Sequence, residues 1–415
     1  MHRQAQYFVG IDVGSNNTRC VIGFSDNDDM IPSIVGVGES PSVGMRKGNI
    51  VEVNEVVQSI DSAIAEAERS SGLKLPGTTI GVNGTHILSM SSKGVIAVSS
   101  GSREITADEI ARAEEAATVV QLPANREIIQ VFPKKYRLDG QDNIKDPTGM
   151  SGVRLEIDAQ VVTASIPALR NLDKVFNNLQ LQIHQHVLNG VAAAEAVLSR
   201  PQKENGVALI DIGGGTTNVA VFEEGDLQHA AVLPVGGNNI TNDLAIGLRT
   251  DLDIAEKVKI KHGTAKYDDT KRDREIHFGQ GKSQHIFDGE EIEMIIQARL
   301  DEIFELVEEE LDKVDRKGKL PGGVVLVGGG AKLTNIDEYA KEKLRLPARV
   351  QKPKGFSGLS DRVDDPSFST VIGLMLYDAH SIGGGRQKGW MINAGKSGIS
   401  GASKVLKQIF HRLKP

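Results

Sequence analysis

Two aspartates close matched strand-turn-strand segments, one near the start of the chain and one near its middle. Asp12 lies near the end of the apolar run Tyr7 to Val13. Gly14-Ser15-Asn16-Asn17 then turns, and Thr18 to Phe24 runs back. Asp211 lies near the end of Val207 to Ile212, Gly213-Gly214-Gly215 turns, and Thr216 to Phe222 returns. A third strand, Val324 to Val327, runs into Gly328-Gly329-Gly330 and Lys332. A phosphate chain needs backbone N–H groups that approach closely, which glycine permits because it has no Cβ. It also needs a cation, because adjacent phosphates repel. Asp12 and Asp211 suit Mg²⁺ held through its waters, since Mg²⁺ prefers oxygen ligands and dehydrates reluctantly. Two such hairpins facing each other would clamp one triphosphate, with the third turn close to a flat adenosine. A single Asp-x-Gly reads first as a plain hairpin turn. Here Ile11-Asp12-Val13-Gly14 recurs as Ile210-Asp211-Ile212-Gly213, and the repeat favours the nucleotide and two related halves. The pattern is not a Walker loop, since no G-x-x-x-x-G-K-[ST] precedes a helix. It is not a Rossmann fingerprint, since each of the two Asp turns leads into a strand.

The elements that must position these turns are legible by periodicity. An Asn54 cap predicts a helix with Val56, Val57, Ile60, Ala63, Ile64 and Ala67 inward, closed by Gly72. Residues 84–163 read as a separate small unit. In it Thr106 and Glu109 form a capping box, and Val153 to Val161 alternates with period two, one face buried and one wet. A helix from Pro167, a strand near 181–188 and a small-residue helix from Gly190 to Leu198 follow. Beyond the second hairpin come short helices near 240–261, a solvated loop or edge hairpin at 266–290 and a long helix from about 289 to 316. The last body element is near Thr370 to Tyr377.

Bulk properties narrow the class. The chain has 415 residues, 39% hydrophobic and 25% charged, which suits two or more soluble domains. The lone Cys20 cannot form an internal disulfide or a thiolate zinc cage, and fits a reducing compartment. Met1 to Val9 has no long apolar core, which predicts no signal peptide, and no apolar run is long enough to span a bilayer. The formal net charge of -7 is uneven. No Asp or Glu follows Asp378, and seven Lys and Arg residues do, which leaves -14 on the body. An acidic body argues against a nucleic-acid-binding globule, and a basic tail argues for an anionic partner of its own.

Residues 379–401 are rich in Gly, Ser and basic residues and read as a linker. In 402–415, Val405, Leu406, Ile409, Phe410 and Leu413 form one helical stripe, flanked by Lys404, Lys407, Arg412 and Lys414. So short a helix needs a surface to fold against. An anionic phospholipid membrane supplies both an apolar layer and negative charge. Burial of five large apolar side chains at about 1.5 kcal/mol each leaves single-copy binding weak after ordering costs. Polymerisation would strengthen it. The alternative is a helix docked on its own body, against which the polar linker argues.

The Asp12-Val13-Gly14-Ser15 hairpin, the Gly190–Leu198 helix, Asp211 to Thr217, Val327 to Gly330 and Thr370-Val371-Ile372-Gly373-Leu374 resemble, in order, the five segments of the actin, Hsp70 and hexokinase superfamily. Val235-Gly236-Gly237-Asn238-Asn239-Ile240-Thr241-Asn242-Asp243-Leu244-Ala245 and Ala255-Glu256-Lys257-Val258-Lys259 are similar specifically to the FtsA family of bacterial cell-division actin homologues. The resemblance implies an α/β, actin-like ATPase fold with two related halves around a nucleotide cleft. An FtsA-type, SHS2-like small subdomain is inserted in the first half. The implied layout is subdomain 1A over 1–83 and 164–200 and 1C over 84–163. Subdomain 2A covers 201–244 and, with the return to 1A, 312–378; 2B covers 245–311. The linker is 379–401 and the membrane-targeting helix 402–415.

The same resemblance implies ATP and Mg²⁺. Asp12 and Asp211 would serve the metal through water, and Gly14, Ser15, Asn16, Gly213, Gly214, Gly215, Thr216 and Thr217 would cradle phosphates. Glu195 would orient water, Glu256 and Lys259 would hold the ribose, and Gly329, Gly330 and Lys332 would border the adenosine. Glu195 reads otherwise as a solvated helix glutamate, and Glu256 with Lys259 as a surface ion pair. Two departures stand out. The first hairpin has no lysine for the phosphates, where Arg19 would stand in, and Asn218 replaces an Asp that many relatives carry. At most a weak ATPase is therefore expected. The implied function is to tether filaments of the tubulin-like FtsZ to the membrane and help assemble the division septum. Its implied partners are the FtsZ C-terminal peptide, bound near 245–310, further copies of the chain in a head-to-tail polymer, and other division proteins. The implied place is the cytoplasmic face of the membrane at the division site, as a peripheral protein. The rival readings are a sugar kinase or phosphatase of the superfamily, a pilus-assembly relative and a cell-shape actin.

Overall fold

The computed structural model of the protein describes residues 6–25, 31–99, 101, 103–266, 275–279 and 285–382. They fall into two compact units, 6–88 with 167–382 and 89–166.

The larger unit begins with an antiparallel meander of β1 (Gln6–Val13), β2 (Asn17–Ser25) and β3 (Ser33–Pro41). A small hairpin, β4 (Met45–Arg46) and β5 (Asn49–Ile50), leads into α1 (Val53–Ser71). The cap is Glu52, two residues before the expected Asn54, and it makes no side-chain cap bond. Gly72 closes it in the left-handed conformation at φ 72°, its N–H bonded to the Glu68 carbonyl. The inward face is Val56, Ile60, Ala63, Ile64 and Ala67. β6 (Gly77–Val82) then returns parallel to β1.

The smaller unit is a four-stranded sheet in the order β7-β10-β8-β9, from β7 (Leu88–Ala97), β8 (Arg126–Leu138), β9 (Gln141–Ile144) and β10 (Arg154–Ser165). One helix, α2 (Ala107–Ala117), packs on it and starts at the expected Thr106–Glu109 capping box. Ala113, Ala117, Val131, Leu155, Ile157 and Val161 make its core. β10 alternates only as far as Ala159; from there to Ala164 every residue is buried. Gln160 is tolerated inside because its amide bonds the hydroxyls of Ser89 and Ser91.

The chain re-enters the larger unit through α3 (Ile166–Asn178), β11 (Gln182–Leu188), α4 (Asn189–Val197) and α5 (Arg200–Asn205). The second sheet is built from β12 (Val207–Ile212), β13 (Thr217–Glu223) and β14 (Asp226–Leu233). After it come α6 (Gly237–Gly247), α7 (Leu252–His262), the hairpin β15 (Glu275–Phe278) and β16 (His285–Asp288), and α8 (Gly289–Asp312). β17 (Val324–Val327), α9 (Ile336–Leu344), β18 (Ala348–Val350), β19 (Ser357–Gly358), α10 (Ser360–Val363) and α11 (Ser369–Ile382) complete the described chain.

The internal repeat extends to whole sheets. The first runs β3-β2-β1-β6-β11 and the second β14-β13-β12-β17-β18, each a meander followed by two parallel strands; β19 adds to the edge of the first. α4 and α11 cross where a Cβ on Gly373 would lie 1.8 Å from the Ala192 carbonyl oxygen, so only glycine permits the approach. Asp378 on α11 is fully buried and accepts from the Val9 N–H at 2.8 Å and the Thr79 hydroxyl at 2.7 Å. The His184 Nδ1 lies 2.7 Å from the same carboxylate. α11 runs on to Ile382, so residues 379–382 are helix where a linker was expected. The remainder of that linker and the tail residues Lys404, Val405, Leu406, Lys407, Ile409, Phe410, Arg412 and Leu413 lie outside the described residues. Among the described residues no helix is long and apolar enough to cross a membrane.

Candidate functional site

The two Asp hairpins share one local geometry. Gly14 N–H donates to the Asn17 carbonyl at 3.1 Å, and Gly213 N–H donates to the Thr216 carbonyl at 2.9 Å. The loops also meet. A Cβ on Gly214 would lie 2.6 Å from the Asn16 amide oxygen, and one on Gly215 would lie 2.7 Å from the Ser15 hydroxyl. The third turn closes on the same place, for a Cβ on Gly328, at φ 86°, would lie 2.4 Å from an Asp211 oxygen. β17 pairs in parallel with β12, placing Val327 beside Asp211. One sheet end thus carries Gly213 to Gly215 together with Gly329 and Gly330, with open space beside Gly329.

Asp12 and Asp211 are both buried. Burial raises the Asp12 carboxyl above its ordinary range, offset in part by the charge of Arg19 and the Asn189 hydrogen bond. Burial and then the charge of Asp12 push Asp211 up to about 6, against the Asn218 and Thr370 hydrogen bonds and Arg19. Asn189 at the start of α4 donates to Asp12 at 2.9 Å, and Asn218 donates to Asp211 at 3.2 Å. The amide oxygens of both, Asn189 Oδ1 and Asn218 Oδ1, are buried with no partner. Two carboxylates and two orphaned oxygens suit a hydrated divalent cation, whose waters would donate to them. Among the described residues no three His, Cys, Asp or Glu side chains gather to hold a metal directly. Asn218 adds a donor at this point and spares the site a third buried negative charge.

The other expected residues divide. Glu256 and Lys259 pair at 2.6 Å on α7, and the Lys259 ammonium also bonds the Gly237 carbonyl at 3.1 Å and the Thr241 hydroxyl at 2.7 Å. Gly237 N–H in turn donates to the Gly213 carbonyl, so this pair is joined to the second hairpin. Thr216 accepts from the Asn83 amide at 2.9 Å, whereas the Thr217 hydroxyl is turned inward to the Val235 carbonyl at 2.8 Å. Lys332 pairs with Asp365 at 2.7 Å. Arg19 is bound to Glu39 at 2.7 Å, with its guanidinium over the Phe368 ring at 4.9 Å. It neutralises the acid pair from the side and is engaged away from the loops. Glu195 pairs with Lys203 at 2.8 Å, near the far end of the helix from Asn189. Asn189, Asn83 and Asn238 join the site without having been expected there.

Comparison with known proteins bears directly on this arrangement. The family model described as "Cell division protein FtsA" matches residues 208–373, and the model for the SHS2 domain inserted in FtsA matches residues 84–163. The chain is 40% identical over 374 residues to the cell division protein FtsA of Bacillus subtilis, covering 90% of this chain and 83% of that one. The chain belongs to the FtsA family of cell division proteins. The FtsA of Neisseria meningitidis is 38% identical over 379 residues, covering 90% and 91% of the two chains. The FtsA of Escherichia coli K12 is 29% identical over 382 residues, covering 90% of each. Solved structures carry the fold further. A chain of the PilM–PilN type IV pilus biogenesis complex superposes with a TM-score of 0.65 at 16% identity, over 90% of this chain and 98% of that one. MreB5 of Spiroplasma citri bound to ADP gives 0.56 at 16% identity, over 92% and 99%. The FtsA-family chain therefore has the actin-like ATPase fold, with the SHS2 insertion in its first half.

Proposed function

We propose that this FtsA-family protein binds ATP with Mg²⁺ between its two hairpins. In that state it tethers FtsZ filaments to the cytoplasmic membrane and helps assemble the division septum. The observation that carries the nucleotide reading is the pair of duplicated hairpins, each presenting a glycine turn beside a buried aspartate. Asp12 and Asp211, with Asn189 and Asn218, would hold the hydrated metal, which when bound would neutralise charge on the phosphates. Gly14, Ser15, Asn16, Gly213, Gly214, Gly215 and Thr216 would line the phosphate chain, and Thr217 would support that loop from behind. Glu256 and Lys259 would meet the ribose, with Gly329, Gly330 and Lys332 bordering the adenosine. A water-orienting role would require Glu195 to leave Lys203, so turnover is at most slow.

Membrane attachment rests on the apolar stripe of Val405, Leu406, Ile409, Phe410 and Leu413 and its basic flank. The 2B region, 245–311, is the proposed seat of the FtsZ C-terminal peptide. Head-to-tail polymerisation of further copies would turn weak single contacts into firm attachment. Other division proteins would join at the cytoplasmic face of the membrane. Co-sedimentation with anionic liposomes, with and without ATP, tests the adaptor reading on the full chain and on one ending at Ile382. Pelleting of the full chain alone is expected. Equal behaviour of the two would refute the tail as anchor.

A further inference from the structure

We infer that Lys47, at the tip of the β4–β5 hairpin, supplies a positive charge to the phosphate chain that the first Asp hairpin lacks. The inference rests on the nucleotide reading above and adds a residue to it. The β4–β5 turn is two residues long, with Lys47 at φ 49° and Gly48 at φ 72°. Two consecutive left-handed residues make a hairpin turn in which Asn-Gly or Asp-Gly is the favoured pair. A lysine at its first position is less favourable for the backbone than asparagine or aspartate would be.

The hairpin is fixed at both ends. Val51 N–H donates to the Gly44 carbonyl at 2.8 Å, and Ser42 N–H donates to the Asn16 carbonyl at 2.8 Å, which ties its base to the first phosphate loop. The Asn49 amide bonds the Lys47 carbonyl at 3.2 Å. The tip is wedged over the second loop. A Cβ on Gly215 would lie 3.2 Å from the Lys47 Cα, and one on Gly48 would lie 2.7 Å from the Gly84 Cα. Asn83, next to Gly84, bonds Thr216 of that same loop. Lys47 is exposed and has no carboxylate partner among the described residues, so its ammonium is available on a flexible four-carbon stem. Arg19, whose charge acts on both aspartates, is held by Glu39 and Phe368. Lys47 is therefore an exposed lysine whose backbone sits against Gly215 of the second loop, within reach of the phosphate chain.

Lys47→Asn separates phosphate binding from hairpin structure, because asparagine suits the left-handed turn better than lysine while removing the charge. ATP affinity in the presence of Mg²⁺ is measured for the full-length wild type, Lys47→Asn and Lys47→Arg at low and moderate salt. The expected result is about a tenfold loss for Lys47→Asn, with a weaker salt dependence and an unchanged or higher melting temperature. Lys47→Arg should retain most of the affinity. Wild-type affinity in Lys47→Asn would overturn the Lys47 assignment and leave the nucleotide reading standing. An equal loss in Lys47→Arg would also overturn it, since charge would then not be the cause. Failure of the wild type to bind ATP would overturn both.

Discussion

Asn16 and Asn238 exchange two amide hydrogen bonds, 2.8 Å from Asn16 Nδ2 to Asn238 Oδ1 and 2.7 Å in return. One amide stands in the first hairpin turn and the other at the start of α6 in the second half. The two halves are thereby latched beside the two glycine hairpins by a pair that is exposed to solvent. An exposed pair of neutral bonds contributes modestly, about 1 kcal/mol in all. A double-mutant cycle in urea is the check. Asn16→Ala and Asn238→Ala should each cost about 1 kcal/mol, and the double variant no more than either. Additive costs would show that the amides act separately.

The buried acid pair should destabilise the protein when no cation is bound. Asp211 titrates near 6 in the folded chain against an ordinary value of 3.8, so the folded state binds the extra proton more readily. Its contribution is most favourable below 3.8 and is lost as pH rises through about 6. Asp211→Asn should therefore raise stability in EDTA by about 2 kcal/mol at pH 8 and give little at pH 4. Urea denaturation at the two pH values reads this directly.

His184 and Asp378 give a pH dependence of the same sign, but in a higher pH window. The hydrogen bond to Asp378 raises the His184 pKa above 6.5, with burial opposing and the carboxylate charge adding. The stability it contributes is present below 6.5 and is lost as pH rises through the raised value. His184→Gln should cost more at pH 6 than at pH 9. Asp378→Asn should cost about 2–3 kcal/mol, because the Val9 N–H and the Thr79 hydroxyl would compete for one amide oxygen.

Gly373→Ala should be among the most damaging single-methyl changes. Its Cβ would lie 1.8 Å from the Ala192 carbonyl oxygen, and neither buried helix, α4 or α11, has room to retreat. A loss of about 3 kcal/mol or failure to accumulate folded protein is expected, read by thermal melting.

Glu195→Gln tests the one expected catalytic residue that lies apart from the acid pair. Its pairing with Lys203 predicts ATP turnover within about twofold of wild type and a stability cost under about 1 kcal/mol. Turnover assays on the purified chain check this.

The hairpins were legible because a repeated strand ending in Asp and glycine states both the element and its chemistry. The same repeat implied two related halves, and the two large sheets share one strand order over five strands. Asn189 was not legible. It sits at a strand-to-helix junction, Leu188-Asn189-Gly190, and its use depends on where α4 enters beside Asp12. Asn83 and Asn238 lie far from the loops in sequence, and only the tertiary fold brings their amides there. The family resemblance implied a phosphate role for Arg19 in place of a lysine. Glu39 on the neighbouring strand and Phe368 claim it instead. Asp378 did leave a signal, a lone acid directly after the apolar run Leu374 to Tyr377, of the kind that is buried only when fully bonded.

Binding of a magnesium nucleotide between the paired hairpins is the core of the proposed function, and equilibrium titration of ATP against the full chain tests it most directly. Saturable binding of one ATP per chain is predicted, at least about tenfold tighter with Mg²⁺ than with EDTA, and the advantage should vanish in Asp12→Asn/Asp211→Asn. Absence of saturable binding, or a magnesium advantage that survives in the double variant, would contradict it.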